Sequence, residues 1–203
     1  MSGDPAPLKF VPSLPPEEAA RANFYGLLAR LYYASPDGAL LLSLAGAEEI
    51  DAEGALALAW RDLAQAARET DAEAVQAEYE TAFVGTGKAP ITLYASAYSV
   101  RYTNEVPLVH LRQELASLGL ARRVEVAEPE DHFAALCDVM RHLIAERKDE
   151  LAAQSRFFER WIWPSAVPLC DAITASAHSR FYCCVAAFTK AFCALEHSAF
   201  ELL

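Results

Sequence analysis

The chain has 203 residues, 54% of them hydrophobic and 22% charged, with only 8 glycines and 11 prolines, which excludes a collagen-like, low-complexity or disordered protein. A chain of this length forms one large domain or two small ones and buries roughly 70% of its unfolded surface. Seventeen Lys and Arg against 28 Asp and Glu give a formal net charge of -11, which disfavours nucleic acid and favours cationic partners.

Residues 1–15 read as a flexible, proline-rich arm with no basic segment followed by an apolar one, and no stretch approaches the roughly 18 uncharged residues of a membrane span. The expectation is a cytoplasmic protein without stable membrane insertion. Alanine is abundant and β-branched runs are scarce, so the predicted fold class is all-α, a compact bundle of roughly ten helices. Pro16 opens the first helix, whose apolar face is Ala20, Phe24, Leu27, Leu28, Leu31 and Tyr32, and Ser35-Pro36-Asp37-Gly38 ends it. A short helix follows over 40–44, another over 53–68, and a fourth starts from a cap at Thr70 or Asp71 and runs to Phe83.

Residues 84–93 carry Gly85, Gly87 and Pro90 without periodicity and read as a loop. A helix over 105–118 is closed by Gly119, and 120–132 reads as a hinge loop between an N-terminal subdomain, 16–119, and a C-terminal one, 133–203. Phe133, Leu136, Cys137, Met140, Leu143 and Ile144 form the clearest helical face in the chain. Phe157, Phe158, Trp161 and Ile162 make an aromatic helix expected to stop near Pro164. A further helix reaches about Ala177, and Phe181, Val185, Phe188, Phe192 and Leu195 stripe the last. Two helical subdomains joined by a hinge are compatible with a monomer or a domain-swapped dimer.

The residue types that carry chemistry are sparse. Neither paired Glu-x-x-His motifs nor C-x2-4-C and H-x3-5-H spacings occur, so no metal site is predicted, and the five cysteines, an odd number on apolar helical patterns, read as reduced and buried. No serine sits in a G-x-S-x-G elbow and no cysteine has the polar, basic surroundings of a nucleophile, so no catalytic residue is assigned. Gly85-Thr86-Gly87-Lys88 lacks the first glycine of a phosphate loop and follows a helix rather than a strand.

Glu128-Pro129-Glu130-Asp131-His132 is the most unusual constellation, and two readings of it stand. It is a good helix start, with proline and acids in the first turn. Equally, carboxylates gathered at a hinge offer charge-assisted, bidentate bonds to an arginine-bearing ligand. His132 divides in the same way, between a helix-start imidazole bonded locally and a ligand-facing one.

Together these residues resemble the TorD/DmsD/NarJ family of redox-enzyme maturation chaperones. One anchor is Glu78-Tyr79-Glu80-Thr81-Ala82-Phe83-Val84-Gly85 with Pro90, Tyr94 and Ser96, similar to the family's E-Y-x-x-L-F-x-G helix end and following loop. The other is Glu128-Pro129-Glu130-Asp131-His132, similar to its E-P-x-D-H hinge. With the opening Phe24-Tyr25 and Leu28-Ala29-Arg30-Leu31-Tyr32 and the closing Phe181-Tyr182, the resemblance spans about residues 18–197. Departures are Ala82 where the family has Leu, Trp161 where it has His, and Ser165 where it has Trp.

The resemblance implies a non-catalytic, cytosolic, client-specific chaperone that holds no cofactor itself. Its partner would be the apo-precursor of a molybdoenzyme catalytic subunit, bound by its twin-arginine leader, by its body, or by both, until the molybdenum cofactor is inserted. Tyr79, Phe83, Pro90 and Tyr94 would then receive the leader's apolar stretch and Glu128, Asp131 and His132 its arginines, with Ser96 and Pro129 also counted among the leader- or client-binding residues. Leu93-Tyr94-Ala95-Ser96 with Val109-His110-Leu111-Arg112 is similar to members that accompany formate dehydrogenases. The alternative is a helical interaction or regulatory module with no redox client.

Overall fold

The computed structural model describes residues 14–50, 53–85, 87, 89–99, 106–123, 126, 128–146 and 151–203. Most of the arm, residues 1–13, lies outside them, as do Thr86, Lys88 and hinge positions 124, 125 and 127. The helices are α1 (Pro16–Tyr33), α2 (Gly38–Ala45), α3 (Ala55–Arg68), α4 (Ala72–Tyr79), α5 (Ser96–Ser99), α6 (Pro107–Ser117), α7 (Phe133–Glu146), α8 (Leu151–Phe157), α9 (Trp163–Ala175) and α10 (Phe181–Phe200). π-Helical turns at Glu80–Val84 and Phe158–Ile162 extend α4 and join α8 to α9. The fold is all-α, and the extended backbone pairing among the described residues is one isolated antiparallel bridge, Tyr94 to His132.

Local chemistry sets the helix starts. Asp37 accepts from the Leu40 N–H at 2.8 Å and Asp71 from the Ala74 N–H at 2.9 Å, each covering a donor that the first helical turn leaves open. Pro16 occupies the first turn of α1, where its missing N–H breaks no ladder. α10 has no side-chain cap of its own and borrows one from α4: the Glu78 carboxylate accepts from the N–H groups of Arg180, Phe181 and Tyr182 at 2.9, 3.1 and 2.7 Å.

The amphipathic faces then find each other. α1 lies on α7 so closely that a Cβ at Gly26 would sit 3.0 Å from Arg141 Cδ. α10 packs on α3 and α9, and Phe24, Trp60, Phe188 and Phe192 meet there with ring centroids 5.2 to 6.3 Å apart. The buried side chains form one cluster that draws on both sides of residues 120–132.

Most deep polar groups find partners within this core, Gln154 Nε2 and Ser179 Oγ being buried without one among the described residues. Tyr32 shares a 3.0 Å hydrogen bond with Thr189, and Tyr182 donates to the Leu31 carbonyl at 2.9 Å. Arg21 forks onto both oxygens of Glu196 at 2.7 and 2.8 Å, reaches Glu18 at 2.9 Å, and leaves Glu196 to accept from the Tyr25 hydroxyl at 3.0 Å. All five cysteines are free thiols, and burial pushes Cys170 up to about 12.

Two expectations give way. The aromatic helix does not stop at Pro164: proline falls in the first turn of α9, immediately after a π-helical turn has widened the ladder, so the chain passes from α8 to α9 without a break. Leu195, expected on the buried stripe of the last helix, is 54% exposed, because a stripe at 188, 192 and 195 repeats every 3.5 residues and drifts off the face of a 3.6-residue helix, whose buried side continues through Cys193, Glu196 and Phe200.

Candidate functional site

The first anchor is a helix end rebuilt by a π-helical turn. Gly85 closes it with φ 64°, a left-handed value that glycine reaches without strain, while its N–H bonds Glu80 O at 2.7 Å. The loop then returns on itself, the Ile91 N–H reaching Ala82 O at 3.0 Å. Tyr79 turns its hydroxyl onto the last carbonyls of α1, donating to Tyr32 O and Tyr33 O at 3.1 and 3.0 Å. Phe83 is buried between the rings of Tyr79 and Tyr182, at 5.2 and 4.9 Å. Ala82, at the family's leucine position, is 1% exposed, so the smaller side chain is absorbed by core packing.

Beside this helix end lies an open cleft of about 1110 Å³, walled by Tyr79, Val84 and exposed Pro90 on one side and the turn 34–38 on the other. Its rim is acidic, with Asp37 and Glu80 exposed. Ser35 Oγ is buried in its wall with no hydrogen-bond partner among the described residues.

The second anchor is tied to the loop after the first. The Phe133 N–H reaches Leu93 O and the Ala95 N–H reaches Asp131 O, both at 2.8 Å, which pins residues 93–95 against 131–133. The Asp131 side chain is 5% exposed and faces the Ser96 N–H at 3.4 Å, at the start of α5. Pro129 O accepts from the His132 N–H at 3.1 Å and closes the turn. His132, also 5% exposed, accepts the Ala134 N–H on Nδ1 at 3.2 Å and so serves as the cap of α7.

Burial holds the His132 imidazole below its ordinary titration range against the opposing pull of Glu128 and Asp131. Glu130 is engaged by Arg112 and Arg122 at 3.0 and 3.6 Å, and its bond to Arg112 holds its carboxyl below the usual range. Of the five motif residues only Glu128 keeps a half-exposed carboxylate without a cationic partner among the described residues.

Glu128 accepts from the Tyr94 hydroxyl at 2.5 Å, and that bond, with partial burial, pushes Tyr94 up to about 12. The Tyr94 ring meets His132 edge to face at 5.5 Å, and Tyr33, 58% exposed, meets the same imidazole at 6.5 Å. Tyr79 is pushed up to about 12, first by burial and then by the charge of Glu128, so the cleft wall and the carboxylate share one field. Tyr79 and Pro90 line the cleft with Phe83 packed against Tyr79, Glu128 and Tyr94 are bonded to each other beside His132 and are not among the cleft's lining residues, and Asp131, His132, Pro129 and Ser96 tie the second motif to the loop after the first.

Sequence reasoning missed Tyr33. It sits one residue past the apolar face of α1, a position where an exposed aromatic is ordinary, and only the fold brings it to His132. Trp161, at the family's histidine position, donates its indole N–H to Glu114 at 2.8 Å and packs under Arg160 at 5.0 Å. Among the described residues no group of three or more His, Cys, Asp or Glu side chains could hold a metal ion, and no helix is long and apolar enough to cross a membrane.

Comparison with known proteins agrees with this architecture. The model of the nitrate reductase delta subunit family matches residues 50–195. A crystal structure of a candidate redox enzyme maturation protein from Archaeoglobus fulgidus superposes with a TM-score of 0.53 at 18% identity, covering 93% of this chain and 99% of that one, which supports the fold. None of the curated proteins matches at a significant level. With more than half of its length matched, both anchors included, the chain belongs to the nitrate reductase delta subunit family, the NarJ/TorD-like chaperones of redox-enzyme maturation, whose members bind clients rather than catalyse reactions.

Proposed function

We propose that this chaperone receives the apo-precursor of a molybdoenzyme catalytic subunit by its twin-arginine leader, in the cleft between the turn 34–38 and the end of α4, and holds it until the molybdenum cofactor is inserted. On the 93–96 and 109–112 pattern the client is a formate dehydrogenase. The observation that carries this reading is the pairing of an acid-rimmed cleft with a half-exposed carboxylate framed by tyrosines. Tyrosine faces and a carboxylate are the two surfaces a planar guanidinium uses together, stacking on one and hydrogen bonding to the other.

The cleft offers the rest of a peptide what it needs. Pro90, Val84 and Tyr79 give apolar wall, Ser35 Oγ a free hydroxyl for a peptide backbone group, and Asp37 and Glu80 attract cationic flanks. No bond is made or broken, so the function lies in differential affinity: the apo-precursor is favoured and the cofactor-loaded form released.

The test is a titration of the chain with a fluorescent leader peptide and with the same peptide carrying lysines in place of both arginines. The arginine peptide should bind about tenfold or more tightly, because lysine lacks the planar fork. Glu128→Gln should remove most of that preference while leaving helicity intact. Equal affinity for the two peptides would defeat the carboxylate's role. Capture of a molybdoenzyme subunit by the tagged chain, identified by mass spectrometry, names the client.

A further inference from the structure

We infer that Tyr33 is the specificity-determining residue of the leader site, an aromatic platform on which an arginine of the leader stacks while Glu128 takes its N–H groups. The inference rests on the proposed leader reading and names the side chain that joins its two parts. Tyr79 and Pro90 line the cleft, whereas Glu128 and Tyr94 are not among its lining residues. A leader that uses both must cross the surface between them.

Three observations put Tyr33 at that crossing. It is the last residue of α1, and the chain that follows it, Ala34 to Gly38, forms one wall of the cleft. Its ring also meets the His132 imidazole, centroids 6.5 Å apart and planes at 74°, and Tyr94 meets the same imidazole at 5.5 Å and 83°. Because Tyr94 donates its hydroxyl to Glu128, a single imidazole links Tyr33 to the carboxylate's own partner. The third observation is the field at the cleft wall. After burial, the charges of Glu128, Tyr94 and Tyr33 push Tyr79 up, so all three lie within electrostatic reach of it.

The chemistry suits a guanidinium. Tyr33 is 58% exposed, whereas Tyr25, Tyr32 and Tyr182 are buried with their hydroxyls bonded inside the core. The backbone carbonyl of Tyr33 accepts from the Tyr79 hydroxyl at 3.0 Å, so the tie to the cleft wall does not use the Tyr33 ring, which stays open to a ligand. Burial holds the His132 imidazole below its ordinary range, so near neutral pH the group beside Tyr33 is uncharged and does not repel a cation. A guanidinium laid on Tyr33 and bonded to Glu128 uses both its face and its edge, which the compact, strongly hydrated ammonium of lysine cannot do.

The full-length chain and its Tyr33→Leu, Tyr33→Phe and Glu128→Gln variants are titrated with the fluorescent arginine leader peptide and its double-lysine counterpart, with helicity and Tm as controls of folding. Tyr33→Leu should weaken the arginine peptide about fivefold and the lysine peptide less than about twofold, and Tyr33→Phe, which keeps the ring, should bind as the parent does. In the Glu128→Gln background Tyr33→Leu should cost less than about twofold, because both side chains hold the same guanidinium. A parent chain without a preference for the arginine peptide overturns the leader reading and this inference together. A parent with that preference overturns the inference alone if Tyr33→Leu leaves the arginine peptide unaffected or weakens both peptides equally, if Tyr33→Phe binds as weakly as Tyr33→Leu, or if the Tyr33→Leu effect is undiminished beside Glu128→Gln.

Discussion

Removing the Glu78 carboxylate should cost this protein more than a half-exposed glutamate ordinarily does. Its oxygens take the first three N–H groups of α10, at 2.9, 3.1 and 2.7 Å, and no side chain within α10 stands in for it. Two of those donors belong to Phe181 and Tyr182, whose side chains are 3% and 0% exposed, so water reaches them poorly once the acceptor is gone. A lost cap costs about 0.5–2 kcal/mol, and a lost charge at a helix N-terminus about 0.3–1 kcal/mol more.

Glu78→Ala should therefore lower stability by about 2–3 kcal/mol. Glu78→Gln, which keeps one acceptor oxygen but no charge, should lower it by about 1 kcal/mol. For a domain of this size the alanine variant loses roughly 4–10 °C in Tm. Guanidinium denaturation followed by far-ultraviolet circular dichroism measures the first quantity, and a thermal scan the second. An alanine variant within about 0.5 kcal/mol of the parent, the range of an unremarked surface change, would refute the cap's importance.

Two further outcomes follow from buried groups. His132 titrates lower in the folded chain than its ordinary 6.5, so below that value the unfolded state binds the additional proton. Stability should be level above about pH 6.5 and fall as the pH drops through the folded value. His132→Asn, which retains a capping acceptor, should flatten that part of the profile in denaturant titrations between pH 7.5 and 5.5, and an unchanged slope would refute the assignment. Arg21→Met leaves Glu196, 4% exposed in its side chain, buried without its cation and should cost about 3–5 kcal/mol, whereas Arg21→Met with Glu196→Leu should recover most of the loss. Additive costs in a double-mutant cycle would show that the pair is not coupled.

The longer helices were legible because each carries its own signal. The spacing of Phe133, Leu136, Cys137, Met140, Leu143 and Ile144 leaves no second reading, and all six are buried in α7. Asp71, rather than Thr70, proves to be the cap of α4 because its carboxylate reaches the Ala74 N–H. What stayed hidden depends on partners distant in sequence. Glu78 read as part of a helix end, yet the donors it serves lie 102 to 104 residues away. The bridge between Tyr94 and His132 exists only because a distant segment supplies its partner, and the π-helical turns and the short α5 are too short to carry a periodic signature.

The five residues of the second motif separate by the same logic. A motif names residues that belong together, and burial then decides which of them face a ligand. Asp131 and His132 spend their acceptors on Ser96 and Ala134, and Glu130 on two arginines, while Glu128 retains its exposure. The helix-start reading thus describes most of this stretch, and Glu128 is the one carboxylate on which the proposed ligand contact rests.

That division has an energetic consequence. The ends of α1 and α4 and the starts of α5, α7 and α10 are cross-tied by Tyr79, Glu78, Asp131 and His132, so the cleft's walls are helix termini whose own stability depends on those ties. A leader peptide bound as proposed would stabilise the fold by mass action, by about 2.7 kcal/mol at a hundredfold excess over Kd. Substituting a tie should weaken the fold and the peptide complex together. Substituting Glu128 should weaken the complex alone. Measured side by side, Asp131→Asn and Glu128→Gln therefore tell scaffold from contact, and a Glu128→Gln chain that loses stability as Asp131→Asn does would place Glu128 among the ties and leave the proposed leader site without its arginine acceptor.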